Sequence, residues 1–184
     1  MANLDAQNFK LKNGASLSLR SPQVGEGQPL LEAVKRIMAE SEHLLTQADE
    51  FNVAIEQEES MIARFLGHPA KLLIVPIVDG KIVGMMDFNC GGRRRNSHTG
   101  ELGMSLLPEF RGQGIGTMML EALSKWASTH PTIEKICLHV HRRNEAAVNL
   151  YKKAGFIVEG TDIKGVKLDD GTYDDALFMT RFVR

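Results

Sequence analysis

Three glycines lie within five positions, at Gly112, Gly114 and Gly116, where an apolar, helix-forming run begins that continues to Ala127. Glycine lets the backbone turn tightly and approach a ligand closely. The first amides of a helix have no partner inside the helix, and the helix dipole adds positive potential at that end. A tight turn built only for packing is the alternative. Because the helix follows the glycines, the pattern favours an anion site, most naturally for phosphate groups.

Two familiar phosphate loops do not fit these residues. A nucleoside triphosphate P-loop ends in Gly-Lys followed by Ser or Thr, whereas here Gly116 is followed directly by Thr117. A dinucleotide fingerprint needs a third glycine at the sixth position, and counting from Gly112 that position is Thr117. A nucleotide-binding regulator is therefore disfavoured.

The composition limits the classes of function. With 184 residues, the chain is long enough for one domain with a real core, and we expect that domain to span 1–184. A net charge of −1 gives no reason to expect nucleic acid or a membrane as partner. No apolar run is long enough to span a bilayer, and the start of the chain has no secretory pattern. Cys90 and Cys137 lack metal-ligand spacing and do not suggest a disulfide framework, so we expect a cytoplasmic protein.

Hydrophobic periodicity predicts the elements that position the glycine turn. Strands are predicted over 16–21, 71–90 (two strands turning at Asp79-Gly80), 99–107, 134–141, 156–159 and 176–184, and helices over 30–45, 57–66, 115–127 and 144–155. Hairpins early and strand–helix–strand units later predict a mixed sheet covered by helices, which is an α/β domain.

Two sequence blocks resemble one protein family. The run from Arg111 to Gly116 resembles the R/Q-x-x-G-x-G/A signature of the GNAT superfamily of acyl-CoA N-acyltransferases. About thirty residues later, "ICLHVHRRNEAAVNLYKKAGFIVEG" resembles its second block, in which a strand ends, an Asn caps a helix and L-Y-x-x-x-G-F follows. The matching residues are Asn144, Ala147, Leu150, Tyr151, Gly155 and Phe156. "DDGTYDDALFMTRF" is similar to the last hairpin of many bacterial members, so the resemblance covers 14–184 and identifies the chain as a small, single-domain member of bacterial type.

The resemblance implies the GNAT fold, a mixed and mostly antiparallel central sheet of about six or seven strands flanked by helices. It also implies acetyl-CoA as co-substrate, with the pyrophosphate cradled by the glycine turn and Arg111 adding charge. The strand before the turn would splay from its parallel neighbour "KICLHVH", and pantetheine would enter the gap. A freed main-chain amide near Leu106 and Leu107 would polarise the thioester carbonyl. The implied binding residues are Leu106, Leu107, Arg111, Gly112, Gln113, Gly114, Ile115, Gly116, Thr117, Asn144 and Tyr151; no metal is implied.

Two residues are implied for acid and base chemistry. Tyr151 stands where family members carry the general acid that protonates the leaving thiolate; the alternative is an aromatic residue that only packs under its helix. Glu101, ten residues before Arg111, stands where several members carry a base, often acting through water. The alternative for Glu101 is a strand carboxylate paired with an arginine of the loop 93–95. His98 is the rival base, since histidine titrates near neutral pH.

Other polar groups carry less weight in the sequence. Arg93 to Arg95 are interpreted as a solvated loop rather than a contact for an acidic acceptor. His139 and His141 share one face of a strand, but no third ligand offers itself, so we interpret both as structural. The carboxylates of 56–60 and of Asp169, Asp170, Asp174 and Asp175 either line an acidic pocket for a polyamine or lie on the surface, and the surface interpretation is favoured.

The resulting hypothesis is an acetyl-CoA-dependent N-acetyltransferase that transfers acetyl directly to a primary amine in a ternary complex. The acceptor is a small amine, an amino acid or a peptide N-terminus, and polyamines and ribosomal-protein N-termini remain open within the class. The alternative from another class is a non-catalytic acyl-CoA-binding or sensing module. Dimerisation is common in the family, so a homodimer is a further expectation.

Overall fold

The computed structural model describes residues 3–184, and its elements follow the apolar periodicity of the chain. The strands are β1 (Gln7–Lys10), β2 (Ser16–Arg20), β3 (Lys71–Val78), β4 (Lys81–Ile82), β5 (Gly84–Cys90), β6 (Thr99–Leu106), β7 (Lys135–His141), β8 (Ile157–Lys167) and β9 (Tyr173–Phe182). The helices are α1 (Gly27–Glu40), α2 (Ile55–Leu66), α3 (Ile115–Thr129) and α4 (Glu145–Lys153). No helix in this part of the chain has the length and apolar character that a bilayer crossing requires. The domain expected over 1–184 includes two residues, 1 and 2, that lie outside the described part.

The strands of residues 3–184 form one mixed sheet in the order β1-β2-β3-β5-β6-β7-β9-β8, with the short β4 paired to β3. Neighbouring strands run antiparallel except β6 and β7, which are parallel. The α/β class and the mostly antiparallel sheet are confirmed. The strand number is higher than six or seven because β1 precedes the predicted first strand and because the segment after Asp79-Gly80 contributes both β4 and β5.

Several helix and strand boundaries differ from the prediction. The helix expected to reach Leu45 ends at Glu40, where Ser41 takes extended backbone angles. Leu44 still packs against the core from the following segment, while Leu45 is 73% exposed, so apolar spacing alone overstated the helix. β8 extends to Lys167, beyond the predicted 159, because it is an edge strand whose residues are mostly exposed and it lacks the apolar alternation of a half-buried strand. β9 begins at Tyr173, three residues before its predicted start.

The sheet buries a different apolar cluster on each face. Alternate residues of β3 separate the two: Leu72 and Ile74 belong to the cluster that contains α3 and α4 residues, whereas Leu73 and Val75 pack with residues of α1 and α2. The register of β5 and β6 continues this alternation, since Phe88 lies opposite Leu102 on the α3/α4 face. Residues at odd positions of β6 therefore face the α1/α2 side.

Candidate active site

The sheet opens between β6 and β7. These strands pair only over Thr99–Glu101 and Lys135–Cys137, and beyond that point no pairing between them continues. β7 instead pairs with β9 along its whole length, while β6 continues to Leu106 along β5. The result is a wedge-shaped gap bounded by 102–106 and 138–141, in the place that the resemblance implied.

The glycine turn stands at the end of β6. Gly112 and Gly114 have φ angles of +72° and +86°, and Gly114 is the N-cap of α3. Within residues 3–184, none of the amides from Gly112 to Thr117 donates a hydrogen bond, although the amides of Arg111 and Met118 on either side both do. A Cβ at Gly112 would meet nothing within 4 Å, so a ligand has room to approach this backbone. Unpaired amides at the positive end of a 15-residue helix suit the phosphates of a CoA molecule.

Side chains hold the turn in position. Arg111 donates from Nε to the Leu106 carbonyl at 3.0 Å, and Gln113 donates from Nε2 to the Glu109 carbonyl at 2.7 Å. Glu109 also pairs with Arg36 of α1 at 3.0 Å. Arg111 thus ties the turn to the end of β6, and Gln113 ties it to the segment that follows β6, so both side chains are partly engaged.

Of the two amides expected near the thioester carbonyl, those of Leu106 and Leu107, one is hydrogen-bonded within the sheet. The Leu107 amide donates to the Val83 carbonyl at 3.0 Å, so it is not free. Successive amides of an extended strand point to opposite edges. Because the Leu107 amide points toward β5, the Leu106 amide points toward the gap, and it is the better candidate to meet a carbonyl there.

The start of α3 is packed closely against α4 and β6. A Cβ at Gly116 would lie 3.0 Å from Leu150 Cδ2 and 3.6 Å from Met104 Cε, so any larger residue here would crowd the Leu150 side chain. Ile115 is buried under the turn, and Thr117 is exposed on its outer side. The three elements that the motif residues occupy therefore meet at one end of the gap.

Tyr151 lies on the α3/α4 side of the sheet. Its side chain is buried, and its ring packs edge-on against Phe156 with centroids 5.7 Å apart. Burial raises the pKa of Tyr151 to about 12, so the phenol keeps its proton at neutral pH and can donate it. Asn144, the other predicted α4 residue, caps the helix, because its Oδ1 accepts from the Ala147 amide at 3.2 Å.

Glu101 lies on the opposite, α1/α2 side of the sheet, at the point where β6 and β7 begin to separate. Its Oε1 is 2.8 Å from Nδ1 of His139, and both side chains are more than half exposed. Its partner is therefore a histidine, not an arginine of the loop 93–95. The rival base His98 is an exposed residue of that loop, where its carbonyl accepts from the amides of Glu134 and Lys135.

Sequence reasoning missed a polar group beside Glu101. Asp87 and Asn89 occupy alternate positions of β5, and Asn89 Nδ2 donates to Asp87 Oδ2 at 2.7 Å. Burial raises the pKa of Asp87, and the nearby charge of Glu101 adds to this effect. A Cβ at Gly103 would lie 2.7 Å from Asp87 Oδ1, so the carboxylate lies over the part of β6 that borders the gap. The signal was present in "MMDFNC", where two polar residues interrupt an apolar strand on one face.

The other carboxylates serve mostly structural roles. Glu59 accepts from the amides of Gly25 and Gly27 at the start of α1. Glu58 and Asp174 are each only 5% exposed, so the surface interpretation is wrong for these two. Glu58 points inward because it shares the buried face of α2 with Ile62, and burial raises its pKa. No group of three His, Cys, Asp or Glu residues in the described chain is arranged to hold a metal ion.

Comparison with known families gives a match over most of the chain. The family model described as "Acetyltransferase (GNAT) family" matches residues 32–156. The chain belongs to the GNAT acetyltransferase family. It is accordingly an acyltransferase, which agrees with the resemblance of its two motif blocks.

Curated relatives extend this match. The L-amino acid N-acetyltransferase AaaT of Escherichia coli (strain K12) is 27% identical over 150 residues, which is 82% of this chain and 90% of the relative. The spermidine N(1)-acetyltransferase of the same organism is 30% identical over 82 residues, which is 45% of this chain and 44% of that protein.

Solved structures share the fold of this GNAT protein. A GNAT-family acetyltransferase from Streptococcus pneumoniae superimposes with a TM-score of 0.87 at 24% identity, covering 91% of this chain and 99% of that one. The protein yncA from Salmonella typhimurium, solved with its cofactor acetyl-CoA, superimposes with a TM-score of 0.78 at 17% identity, covering 91% and 94%.

Proposed function

We propose that this protein transfers the acetyl group of acetyl-CoA to a primary amine by direct attack in a ternary complex. The observation that carries the proposal is the gap between β6 and β7, with unpaired amides at its end and Glu101 at the point where it opens. Tyr151 lies on the other face of the sheet. A thioester in this gap would be open to an amine from the α1/α2 side while its sulfur faced the α3/α4 side.

The chain's own residues suit the binding of acetyl-CoA. The amides of 112–117 are unpaired and Arg111 adds a positive charge beside them, which matches a pyrophosphate. The gap-facing amide of Leu106 suits the thioester carbonyl, because an amide fixed before the reaction stabilises negative charge that develops there. Ile115, Gly116 and Thr117 begin the helix that supplies the dipole. Asn144 has its carbonyl oxygen engaged in capping, which leaves its amide nitrogen for a ligand.

We assign two of the proton transfers to Glu101 and Tyr151. An alkyl ammonium has a pKa of about 10.4, so the acceptor must lose a proton before its nitrogen can attack. We assign that proton to Glu101, which is exposed on the acceptor side. The departing sulfur needs a proton, and we assign its donation to Tyr151, whose phenol stays protonated because its pKa is raised to about 12.

For the acceptor we propose a small-molecule amine. The relative named as an L-amino acid N-acetyltransferase aligns over 82% of this chain, whereas the one named for spermidine aligns over 45%. The cytoplasmic setting, the homodimer and the single domain over 1–184 stay predictions.

The test is release of free CoA thiol from acetyl-CoA with L-leucine, spermidine and a tripeptide as acceptors. We expect turnover with at least one of them, and a loss of about a hundredfold or more in kcat/KM for Glu101→Gln, which keeps the shape but cannot take a proton. Glu121→Gln, on the exposed face of α3, is the matched control and is expected to behave as wild type. Binding of acetyl-CoA without thiol release for any amine would contradict the proposal and favour the non-catalytic acyl-CoA-binding module.

A further inference from the structure

His139 bridges the two strands at the point where they part. Its β7 position lies two residues beyond Cys137, the last residue of β7 that pairs with β6. Its side chain nevertheless reaches back across the opening, because Nδ1 lies 2.8 Å from Oε1 of Glu101. The contact therefore joins the two edges of the gap on the side from which the acceptor would approach.

The ring of His139 is held by its neighbour on β9. His139 lies opposite Phe178 in the β7–β9 register, and the two ring centroids are 4.9 Å apart with planes inclined by 35°. This packing fixes the imidazole plane while about half of the side chain stays exposed to water. One ring nitrogen thus contacts Glu101, and protons can reach the ring from solvent.

A proton must lie between Nδ1 and Oε1, because two lone pairs at 2.8 Å would repel each other. With Glu101 ionised, that proton belongs to Nδ1, and the ring donates to one oxygen of the carboxylate. The second oxygen, Oε2, is left to receive a proton from the acceptor. Such a hydrogen bond to an ionised group is of the stronger kind and restricts the rotation of the carboxylate.

Several other charged or titratable groups lie on this side of the sheet, and Asp87 and Cys137 are close enough to interact with the charge of Glu101. Lys135 is engaged by Glu159 at 2.7 Å, and burial raises the pKa of Asp87. Burial also lowers the pKa of His141, the next histidine on the same face. The titratable and charged groups here are Lys71 on β3, Asp87 on β5, Glu101 on β6, Lys135, Cys137 and His141 on β7, Glu159 on β8, Asp174 on β9, and His43 after α1. Of the charged and titratable side chains on this face in residues 3–184, it is His139 that forms a hydrogen bond with Glu101.

We propose that His139 is a positioning residue for the base: its Nδ1–H orients the Glu101 carboxylate, and the charge on its ring sets how strongly that carboxylate takes a proton. In the reaction an ammonium N–H bond breaks, its proton goes to Oε2 of Glu101, and the freed lone pair forms the new C–N bond. The thioester C–S bond then breaks, the sulfur takes the Tyr151 proton, and the second proton that the nitrogen loses restores the phenol. A neutral ring leaves the carboxylate charge uncompensated, which strengthens the base. A protonated ring compensates that charge and repels the incoming ammonium, so turnover rises as the ring loses its proton. This proposal rests on the proposed function, with Glu101 as base.

The test compares two substitutions that separate orientation from titration. His139→Asn keeps an N–H near the position of Nδ1 but has no titrating group, and His139→Phe keeps the packing on Phe178 but removes the donor. His130→Asn is the matched control, because His130 packs on Trp126 at the end of α3, on the other face of the sheet. For each, kcat and KM are measured between pH 5.5 and 9.5 with acetyl-CoA and the most active of L-leucine, spermidine and the tripeptide.

We expect wild type and His130→Asn to show the same rise of kcat/KM with pH. In His139→Asn that rise is lost or displaced, while kcat at pH 8 is largely kept. In His139→Phe kcat at pH 8 falls about ten- to a hundredfold, as expected for loss of a hydrogen bond to a charged group, with the KM for acetyl-CoA unchanged. An unchanged pH profile in His139→Asn, or an unchanged kcat in His139→Phe, overturns the proposal.

Glu101→Gln distinguishes a failure of Glu101 as the base from a failure of the role proposed for His139. If it turns over as fast as wild type, Glu101 is not the base and the assigned mechanism fails together with the role of His139. If Glu101→Gln is inactive while His139→Asn keeps the wild-type pH profile, the role of His139 alone is refuted. Melting temperatures near the wild-type value establish that each variant is folded before its kinetics are compared.

Discussion

Replacing Tyr151 with phenylalanine removes one oxygen and leaves the buried ring against Phe156. We expect kcat to fall about 10²- to 10⁴-fold, the range that a positioned general acid contributes, while the Kd for acetyl-CoA changes little. Because the pKa of Tyr151 is raised to about 12, the phenol is protonated throughout the ordinary assay range. Ionisation of Tyr151 should therefore cause no decline in the wild-type kcat up to about pH 10, and the pH dependence of kcat should have the same shape in Tyr151→Phe.

The same substitution has a stability signature that can be worked out from the pKa. The folded-state pKa of Tyr151 lies above the ordinary value of 10.0, so the neutral phenol's contribution is complete below pH 10 and is lost as pH rises toward 12. At pH 11 the ratio of phenolate to phenol at residue 151 would be about ten to one in the unfolded chain, whereas the folded chain would keep this phenol mostly neutral. The difference lowers the free energy of unfolding of the wild type by about 1.4 kcal/mol relative to Tyr151→Phe. At pH 7 the two free energies of unfolding should agree within about 1 kcal/mol.

The assays are thiol release under saturating substrates and urea unfolding at pH 7 and pH 11. Tyr173→Phe is the matched control, because Tyr173 is the other tyrosine of the chain and is 45% exposed at the start of β9. It should leave both kcat and the pH dependence of stability unchanged. A Tyr151→Phe variant with wild-type kcat would remove the phenol from the mechanism, and a loss of kcat matched by an equal loss of acetyl-CoA affinity would assign Tyr151 to binding instead.

Two glycine substitutions, each with a second glycine as its control, test the packing of the sheet and the role of the glycine turn. In Gly100→Ala the new Cβ would overlap the buried ring of Phe88, so we expect the free energy of unfolding in urea to fall by about 1–3 kcal/mol. Gly92→Ala is the control, because its Cβ would have nothing within 4 Å, and its free energy of unfolding should stay within about 0.5 kcal/mol of wild type. An equal effect at both positions would refute the packing argument. Gly114→Ala and Gly80→Ala place alanine at φ of +86° and +83°, so each should lose about 1–2 kcal/mol of stability, but only Gly114→Ala should also weaken acetyl-CoA binding in a calorimetric titration. Equal affinities in the two variants would count against the turn as the CoA site.

The parts of this fold that local chemistry dictates were predictable. The Asp79-Gly80 hairpin forms where expected, and both residues take positive φ angles, 46° and 83°. Asn144 caps α4 and Gly155, at φ of +85°, ends it, as their residue types suggest. In each case the signal is a backbone requirement that few residue types meet.

What the sequence could not supply was the register between distant strands. His139 and Glu101 are 38 positions apart, and they meet because β6 and β7 pair in parallel only as far as Glu101 and Cys137. Spacing along β7 shows that His139 and His141 share a face, but it carries no information about which residue of another strand lies beside them. Spacing alone therefore indicates only a structural role for His139, and the functional roles assigned to Glu101 and Tyr151 remain predictions that the kinetic experiments test.

The most direct test of the account is thermal unfolding with and without acetyl-CoA, with ATP as the control ligand. At a hundred times its Kd, a ligand that binds only the folded state stabilises it by about 2.7 kcal/mol, which raises the melting temperature of a chain of this size by about 5–10 °C. We predict that shift with acetyl-CoA and none with ATP. No shift at saturating acetyl-CoA, or an equal shift with ATP, would contradict the assignment of residues 111–117 as the CoA site and the mechanism that depends on it.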